Sequence, residues 1–387
     1  MNKYENSFYL FNGEAKQIPI IPMHGAPTED TEGAVGLILM DVDAPGCPMY
    51  KCVEVTEEGN SVWEPFVDRA LYEKDVFQAY SMGYGDGVDD THTLFFKNKT
   101  DWSGFNYDGY NWDTISKLSP DDTSNGTDFS QMFFNAHKNG YKELPNLDTS
   151  KGKRFYQTFA KTQFSSVPNI SFKNATDLCG LFEQCTYLEN VEIDTPKVVY
   201  MTDIFVDCKK IQTIKFKTQT SYVEQFTRAF SGNPKLTCIE GLNTSKATNM
   251  GSMFNGTYSM QNYPEMDTSK VYDFSYTFYG TSNTTYPLKT IPKLNLSKAG
   301  SISNMFSTAP SMQFETINFE GTIGVNGLNL SGQNNLSHDS LMSMINALAD
   351  KTGDTSTTWK VIIGSTNLAK LTDAEKQIAI DKNWTLA

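Results

Sequence analysis

Met250-Gly-Ser-Met253-Phe254-Asn-Gly256, continued through Met260 and Tyr263 to Asp267-Thr-Ser-Lys270, is the stretch on which the fold turns. Its apolar residues at i, i+3 and i+4 form one stripe of a short helical turn. The central aromatic recurs along the chain as Phe133, Phe159, Phe182, Phe205, Phe230, Phe254, Phe278 and Phe306, at steps of 26, 23, 23, 25, 24, 24 and 28 residues. Four residues before each stands an apolar residue: Phe129, Phe155, Leu178, Met201, Phe226, Met250, Phe274 and Ile302. A fixed period in the twenties marks a solenoid, because each unit is too small to bury its own apolar face and must stack on its neighbours. The eight phenylalanines are expected to form one ladder through the core. The pattern argues for an extended surface and against a compact catalytic pocket.

The rest of the unit reads as loop, strand and turn. Gly or Asn breaks the helical turn, as in Phe230-Ser-Gly232-Asn233-Pro234. Leu188-x-x-Val191-x-Ile193, Ile211-x-x-Ile214-x-Phe216, Leu236-x-x-Ile239 and Ile291-x-x-Leu294-x-Leu296 then close in the alternation of a short strand with one face inward. Each unit ends in a polar turn: Asp148-Thr-Ser-Lys151, Asp194-Thr-Pro-Lys197, Asn243-Thr-Ser-Lys246, Asp267-Thr-Ser-Lys270 and Asn295-Leu-Ser-Lys298. Turn formation accounts for these Asp and Asn residues, whose side chains bond their own backbone.

This unit resembles the BspA-type leucine-rich repeats, which carry a Met-x-x-Met-Phe box, a Leu-x-x-Leu strand and an Asp-Thr-Ser-Lys turn. The resemblance covers about residues 125–320 and is poorer in the first two units, where Phe replaces Met. It implies an α/β leucine-rich-repeat solenoid of about eight repeats over residues 126–325. It also implies a role in binding and adhesion, and brings no catalytic residues with it.

The flanks have other grammars. Residues 1–70 alternate in Ile18-Pro-Ile-Ile21, Val35-Gly-Leu-Ile-Leu-Met40, Met49-Tyr-Lys-Cys-Val53 and Ser61-Val-Trp-Glu64, which predicts a small β-meander. Gly25-Ala-Pro-Thr28, Gly33-Ala-Val-Gly36, Met40-Asp-Val-Asp43, Met49-Tyr-Lys-Cys52 and Trp63-Glu64 resemble a short module of bacteriophage tail, baseplate and fibre proteins. That resemblance implies attachment to a particle. Residues 71–125 read as a linker and N-terminal cap, with Leu71 to Tyr84 as a short helix. The aromatics Trp102, Phe105, Tyr107, Tyr110 and Trp112 either cover the open end of the solenoid, form a carbohydrate-binding patch or make a subunit contact. Trp102, Tyr107, Tyr110 and Trp112 are the candidate binding residues. Three carboxylates in residues 83–92 do not have EF-hand spacing. Residues 326–387 predict a helix-strand-helix cap: a helix capped by Ser337, a strand at Val361-Ile-Ile363, and a last helix opened by the capping box Thr372-Asp-Ala-Glu375. This closing segment resembles those that follow such repeats in phage-type proteins.

Composition bounds the function. A formal charge of −13 opposes nucleic-acid binding by phosphate neutralisation and binding to an anionic membrane. No apolar run approaches the ~20 residues of a membrane span, and the N-terminus has no apolar signal core, so Sec export is not expected. Six cysteines are too few for a disulfide scaffold; Cys185 and Cys208 share one repeat position and read as buried packing residues, Cys179 and Cys238 also fall within repeats, and Cys47 and Cys52 lack metal-type spacing. His24, His92, His137 and His338 are scattered, and no nucleophile elbow, P-loop or dinucleotide fingerprint occurs. No cofactor and no metal is expected.

The reading that joins these features is a non-enzymatic bacteriophage virion protein, made in the host cytoplasm. Its N-terminal domain would bind other virion proteins, and its repeats would bind a host cell-surface protein or glycan. Oligomerisation, with a trimer as the resemblance implies, would add avidity. The alternatives are a bacterial cell-surface adhesin with the same repeats, and a glycan-degrading enzyme using residues 100–112 with a carboxylate such as Asp108.

Overall fold

The computed structural model describes residues 99–106, 118–136, 144, 146–280, 289–306 and 313–387, together with the backbone of five N-terminal strands. The segment Leu71 to Tyr84, the carboxylates of residues 83–92 and residues 107–117 lie outside the described residues. The chain divides into two units: Met1–Thr100 with Asn111–Asn125, and Asp101–Tyr110 with Gly126–Ala387. Residues expected as a separate C-terminal cap thus fall in the same unit as the repeats, and so do the first aromatics of the expected linker.

In the first unit, β1 (Ser7–Phe11), β2 (Ala15–Met23), β3 (Ile38–Asp41), β4 (Met49–Val55) and β5 (Ser61–Pro65) lie side by side in sequence order. A meander would be antiparallel throughout. Here β1/β2, β3/β4 and β4/β5 are antiparallel but β2/β3 are parallel. A one-turn helix, α1 (Pro120–Thr123), follows Ser119, whose amide donates to the Asp122 carboxylate at 2.8 Å.

The second unit is a pile of parallel rungs. Bridges run Asp101–Asp128–Arg154–Asp177–Tyr200–Gln225–Asn249–Asp273–Ser301, each the residue before an apolar anchor. Within a rung, alternate amides do different work. Met253, Asn255 and Thr257 donate three residues back, to Met250, Ser252 and Phe254. Met250, Ser252, Phe254 and Gly256 donate forward instead, to Asp273, Ser275, Thr277 and Tyr279 of the next rung at 2.7–3.0 Å. The expected helical turn is therefore a run of overlapping i to i−3 turns. An α-turn would use each amide inside its own segment, leaving none to join the rungs. To aim alternate amides forward, the second residue after the anchor adopts positive φ: Gln131, Gln157, Gly180, Asp203, Arg228, Ser252, Tyr276 and Asn304.

One rung was hidden in the sequence. Trp102 donates to Asp128, Gly104 to Ser130 and Asn106 to Met132, the pattern of the later anchors, with Gly104 at φ 65°. Asn106 stands where the other rungs have Phe, which broke the pattern at this point.

The repeated phenylalanines are all 2 % exposed or less. Their rings stack from Phe133 to Phe306 at centroid separations of 5.5–6.3 Å, with planes within 23°. On the other side, β6 (Asn190–Ile193), β7 (Thr213–Phe216) and β8 (Cys238–Glu240) pair in parallel, with Val191, Ile193, Ile214, Phe216 and Ile239 inward. Gly241 closes β8 at φ 75°; a Cβ there would lie 2.3 Å from the Phe216 carbonyl oxygen, so only glycine allows that rung spacing. Pro264 follows, lacks an amide, and ends this sheet. Pairing resumes with β9 (Lys289–Asn295) and β10 (Phe314–Glu320).

A second ladder is polar. The Thr of the polar turn is buried, and its hydroxyl bridges to the next rung: Thr268 donates to the Asn295 carbonyl at 3.0 Å and accepts from the Asn295 amide at 2.7 Å. Thr149 does the same with Ser171, and Thr220 with Asn243. Thr195 is as buried, but its hydroxyl meets no partner. Cys185 and Cys208 are buried at equivalent positions, where their thiols donate to the Phe159 and Phe182 carbonyls at 3.0 Å.

On the strand side, the end of the pile is closed by α2 (His338–Ala347), capped by Ser337. Its serines meet the free edge of β10: the Ile317 amide donates to the Ser340 hydroxyl at 3.0 Å and the Phe319 amide to Ser343 at 3.1 Å. Three strands, β11 (Leu328–Asn329), β12 (Trp359–Ile362) and β13 (Trp384–Leu386), form a last parallel sheet. Between β12 and β13 lie α3 (Gly364–Leu368) and α4 (Asp373–Asp381), the latter opened by Thr372 and Glu375 as a capping box.

Phe254→Ala is expected to lower the unfolding free energy by roughly 3–5 kcal/mol, the range for emptying a buried aromatic site. An unchanged denaturant midpoint would remove the ladder from the core. Thr268→Val should cost roughly 2 kcal/mol, since a backbone amide and a carbonyl both lose their partner. Thr195→Val should be neutral or stabilising, because the hydroxyl it removes is buried without one.

Candidate functional site

Each rung presents a short outward band, from four residues before its anchor to two after it. Tyr222 lies four before its anchor Phe226, Tyr272 two before Phe274, and Tyr200 one before Met201; Tyr156 follows Phe155 by one, and Tyr276 follows Phe274 by two. These rings are 40–62 % exposed. The remaining exposed tyrosine among the described residues, Tyr187, lies elsewhere on its rung. Lys151, Lys197, Lys246, Lys270 and Lys298 all stand four before their anchors and are exposed. The Lys246 ammonium sits 4.6 Å from the centroid of the Tyr222 ring. Lys197 donates to the Asn174 side chain at 2.6 Å, and Lys270 to the Ser245 carbonyl at 2.8 Å.

The scaffold beneath holds these groups in place. Gly300 leaves room for Tyr272: a Cβ there would fall 2.0 Å from the ring. Asp203 takes both Arg228 donors at 2.6 Å across one rung step. The Ser269 hydroxyl and amide hold the Asp267 carboxyl below the usual carboxylate range. The band thus offers aromatic faces and ammonium donors at a repeat set by the rungs. Such a surface suits an extended ligand with flat apolar faces and oxygen acceptors.

The expected binding residues fare differently. Trp102 is fully buried, edge-on to Phe105 at 4.9 Å, so its indole belongs to the first rung and presents no face to a sugar ring. Tyr107, Tyr110, Trp112 and Asp108 lie outside the described residues, as do His24, His92 and His137. His338 is on the end helix, 2.9 Å from the Glu375 carboxylate. Among the described residues, no group of three or more His, Cys, Asp or Glu is placed to hold a metal ion, and no helix is long and apolar enough to cross a membrane. The tyrosine band was missed because aromatics were counted without register; aligning each unit on its anchor would have revealed it.

The buried titratable groups serve the scaffold. Burial pushes the Cys185 thiol up to about 11, which makes it an inert packing group. Lys289 is fully buried at the start of β9, and its ammonium donates to the carbonyls of Tyr258, at 2.7 Å, and Met260. Those carbonyls lie in the irregular stretch before Pro264.

The chain matches the family described as "Mycoplasma protein of unknown function, DUF285" over residues 106–215, 160–264 and 199–320. These overlapping matches span more than half of the chain, and the chain belongs to that family. No curated protein and no solved structure matches.

Burial pushes the Lys289 ammonium down to about 8, against about 10.5 when unfolded. Above pH 8 the native state releases a proton that the unfolded chain still holds, so stability should rise with pH between about 8 and 10.5, by up to roughly 3 kcal/mol. Denaturant midpoints measured across that window in the protein and in Lys289→Met check this. The rise should be absent in the variant.

Proposed function

We propose that this chain is a non-enzymatic binding protein: a leucine-rich-repeat solenoid of the BspA type whose tyrosine- and lysine-bearing band meets a host cell-surface glycan or protein. The observation that carries this reading is the exposure of five tyrosine rings within one narrow register of a rigid ladder. A monomeric soluble protein gains nothing from such a row, whereas tyrosine is favoured where a surface must bind, because it offers large area at low conformational cost. The first unit, with its resemblance to phage attachment modules, would fix the chain to a virion beside other particle proteins. Display as a homo-oligomer, a trimer on that resemblance, would multiply weak contacts into avidity.

The second reading is a bacterial cell-surface adhesin with the same repeats. It is favoured by the family description, which names a bacterial genus. Mass spectrometry of purified particles and of washed, uninfected cells separates the two: the chain should be found in the particles. The band itself is tested by Tyr200→Ala, Tyr222→Ala and Tyr272→Ala combined. Binding of the purified protein to intact host cells should fall by roughly tenfold or more, with an unchanged melting temperature because the rings are exposed. Undiminished binding would move the recognition surface elsewhere.

A further inference from the structure

The forward ladder of amides stops at one place. Phe274, Tyr276 and Phe278 donate to Ser301, Ser303 and Met305, as every earlier rung does to its successor. Ile302, Asn304 and Phe306 occupy the same three positions in the next rung, and their amides meet no backbone acceptor among the described residues. The anchor gives an independent sign of the same gap. Trp102, Phe129, Phe155, Leu178, Met201, Phe226, Met250 and Phe274 are all buried, whereas Ile302 is only partly so.

Across from this edge lies a second one. β11 is the outer strand of its sheet, and Leu330 donates to the Ile362 carbonyl of β12 at 2.6 Å. By the alternation of a strand, the backbone of Asn329 then faces away from β12. Between the two edges is a cleft of about 380 Å³, lined by Ser301, Ile302, Asn304, Asn326, Gly327 and Asn329.

We propose that this cleft accepts a peptide segment of a partner protein that coils as a rung does, lying parallel to the rungs and continuing the ladder. The occupant must bring backbone carbonyls at alternate residues to the amides of Ile302, Asn304 and Phe306, and an apolar side chain onto Ile302. The rung-to-rung interface already established along the stack sets both requirements. A second copy of this chain docking by its own equivalent edge is excluded, since amide would then face amide. As in strand addition to a sheet edge, affinity comes from main-chain bonds and selectivity from the side chains between them.

The test uses the full chain and a nine-residue synthetic peptide copying residues 248–256, a segment already compatible with the ladder. Amide hydrogen exchange is followed at residues 300–306 with and without the peptide. The peptide should slow exchange at Ile302, Asn304 and Phe306 by about tenfold or more. Ile302→Pro removes the first donor and should abolish the effect. Ile302→Asp keeps the amide but charges the anchor, and should weaken the effect should the proline variant not fold. The proposal is overturned if the peptide slows nothing at millimolar concentration, or if both variants respond like the parent. It is also overturned if these three amides are as protected without peptide as those of Phe274, Tyr276 and Phe278.

Discussion

The stack depends on a division of labour among backbone amides. In each rung one set closes the local turn and the alternate set reaches forward to the next rung. Buried backbone groups must be paired, so a rung this short is stable only when a neighbour takes its forward amides. Positive φ makes this possible, and it recurs at side-chain-bearing residues such as Gln131, Arg228 and Tyr276. Each such residue costs on the order of 1 kcal/mol or more. The bonds between rungs and the burial of the anchor and ladder rings offset that cost.

Side chains complete the pairing where the backbone alone does not. The threonine hydroxyls bind the backbone amide and carbonyl of the facing residue, Ser171, Asn243 or Asn295, so the polar turn is spliced to its neighbour in the interior. Lys289 takes two carbonyls where Pro264 interrupts the sheet. Ser340 and Ser343 take the amides of β10 that a further strand would have used. An exposed strand edge is a template for aggregation, and covering it with a hydroxyl-bearing helix removes that hazard.

The register of Phe133 to Phe306 could be read directly from spacing, as could the caps at Ser337 and Thr372, because each depends on local pattern. The turn type could not. Apolar residues at i, i+3 and i+4, as in Met250, Met253 and Phe254, suit an α-turn and a chain of i to i−3 turns alike. The rung at Trp102 escaped notice because Asn106 replaces the diagnostic Phe. The role of Ser340 and Ser343 carries no sequence signal, since nothing local tells that a strand edge lies against them. Of the candidate site, the burial of Trp102 fits the reading in which the aromatics cover the open end of the repeats and not the one in which its ring meets a sugar, and the tyrosine band becomes visible only once each unit is aligned on its anchor.

The forward bonds share one direction along the stack, from Trp102 to Phe274. Peptide dipoles that would cancel between neighbours in an ordinary sheet therefore add in this turn region, as they do in a helix. The end of the stack toward which these amides point gains a positive contribution that does not come from its side chains, within a protein of net charge −13. Orientation in an electric field, or against a charged surface, would follow this built-in axis as well as the distribution of lysines and aspartates.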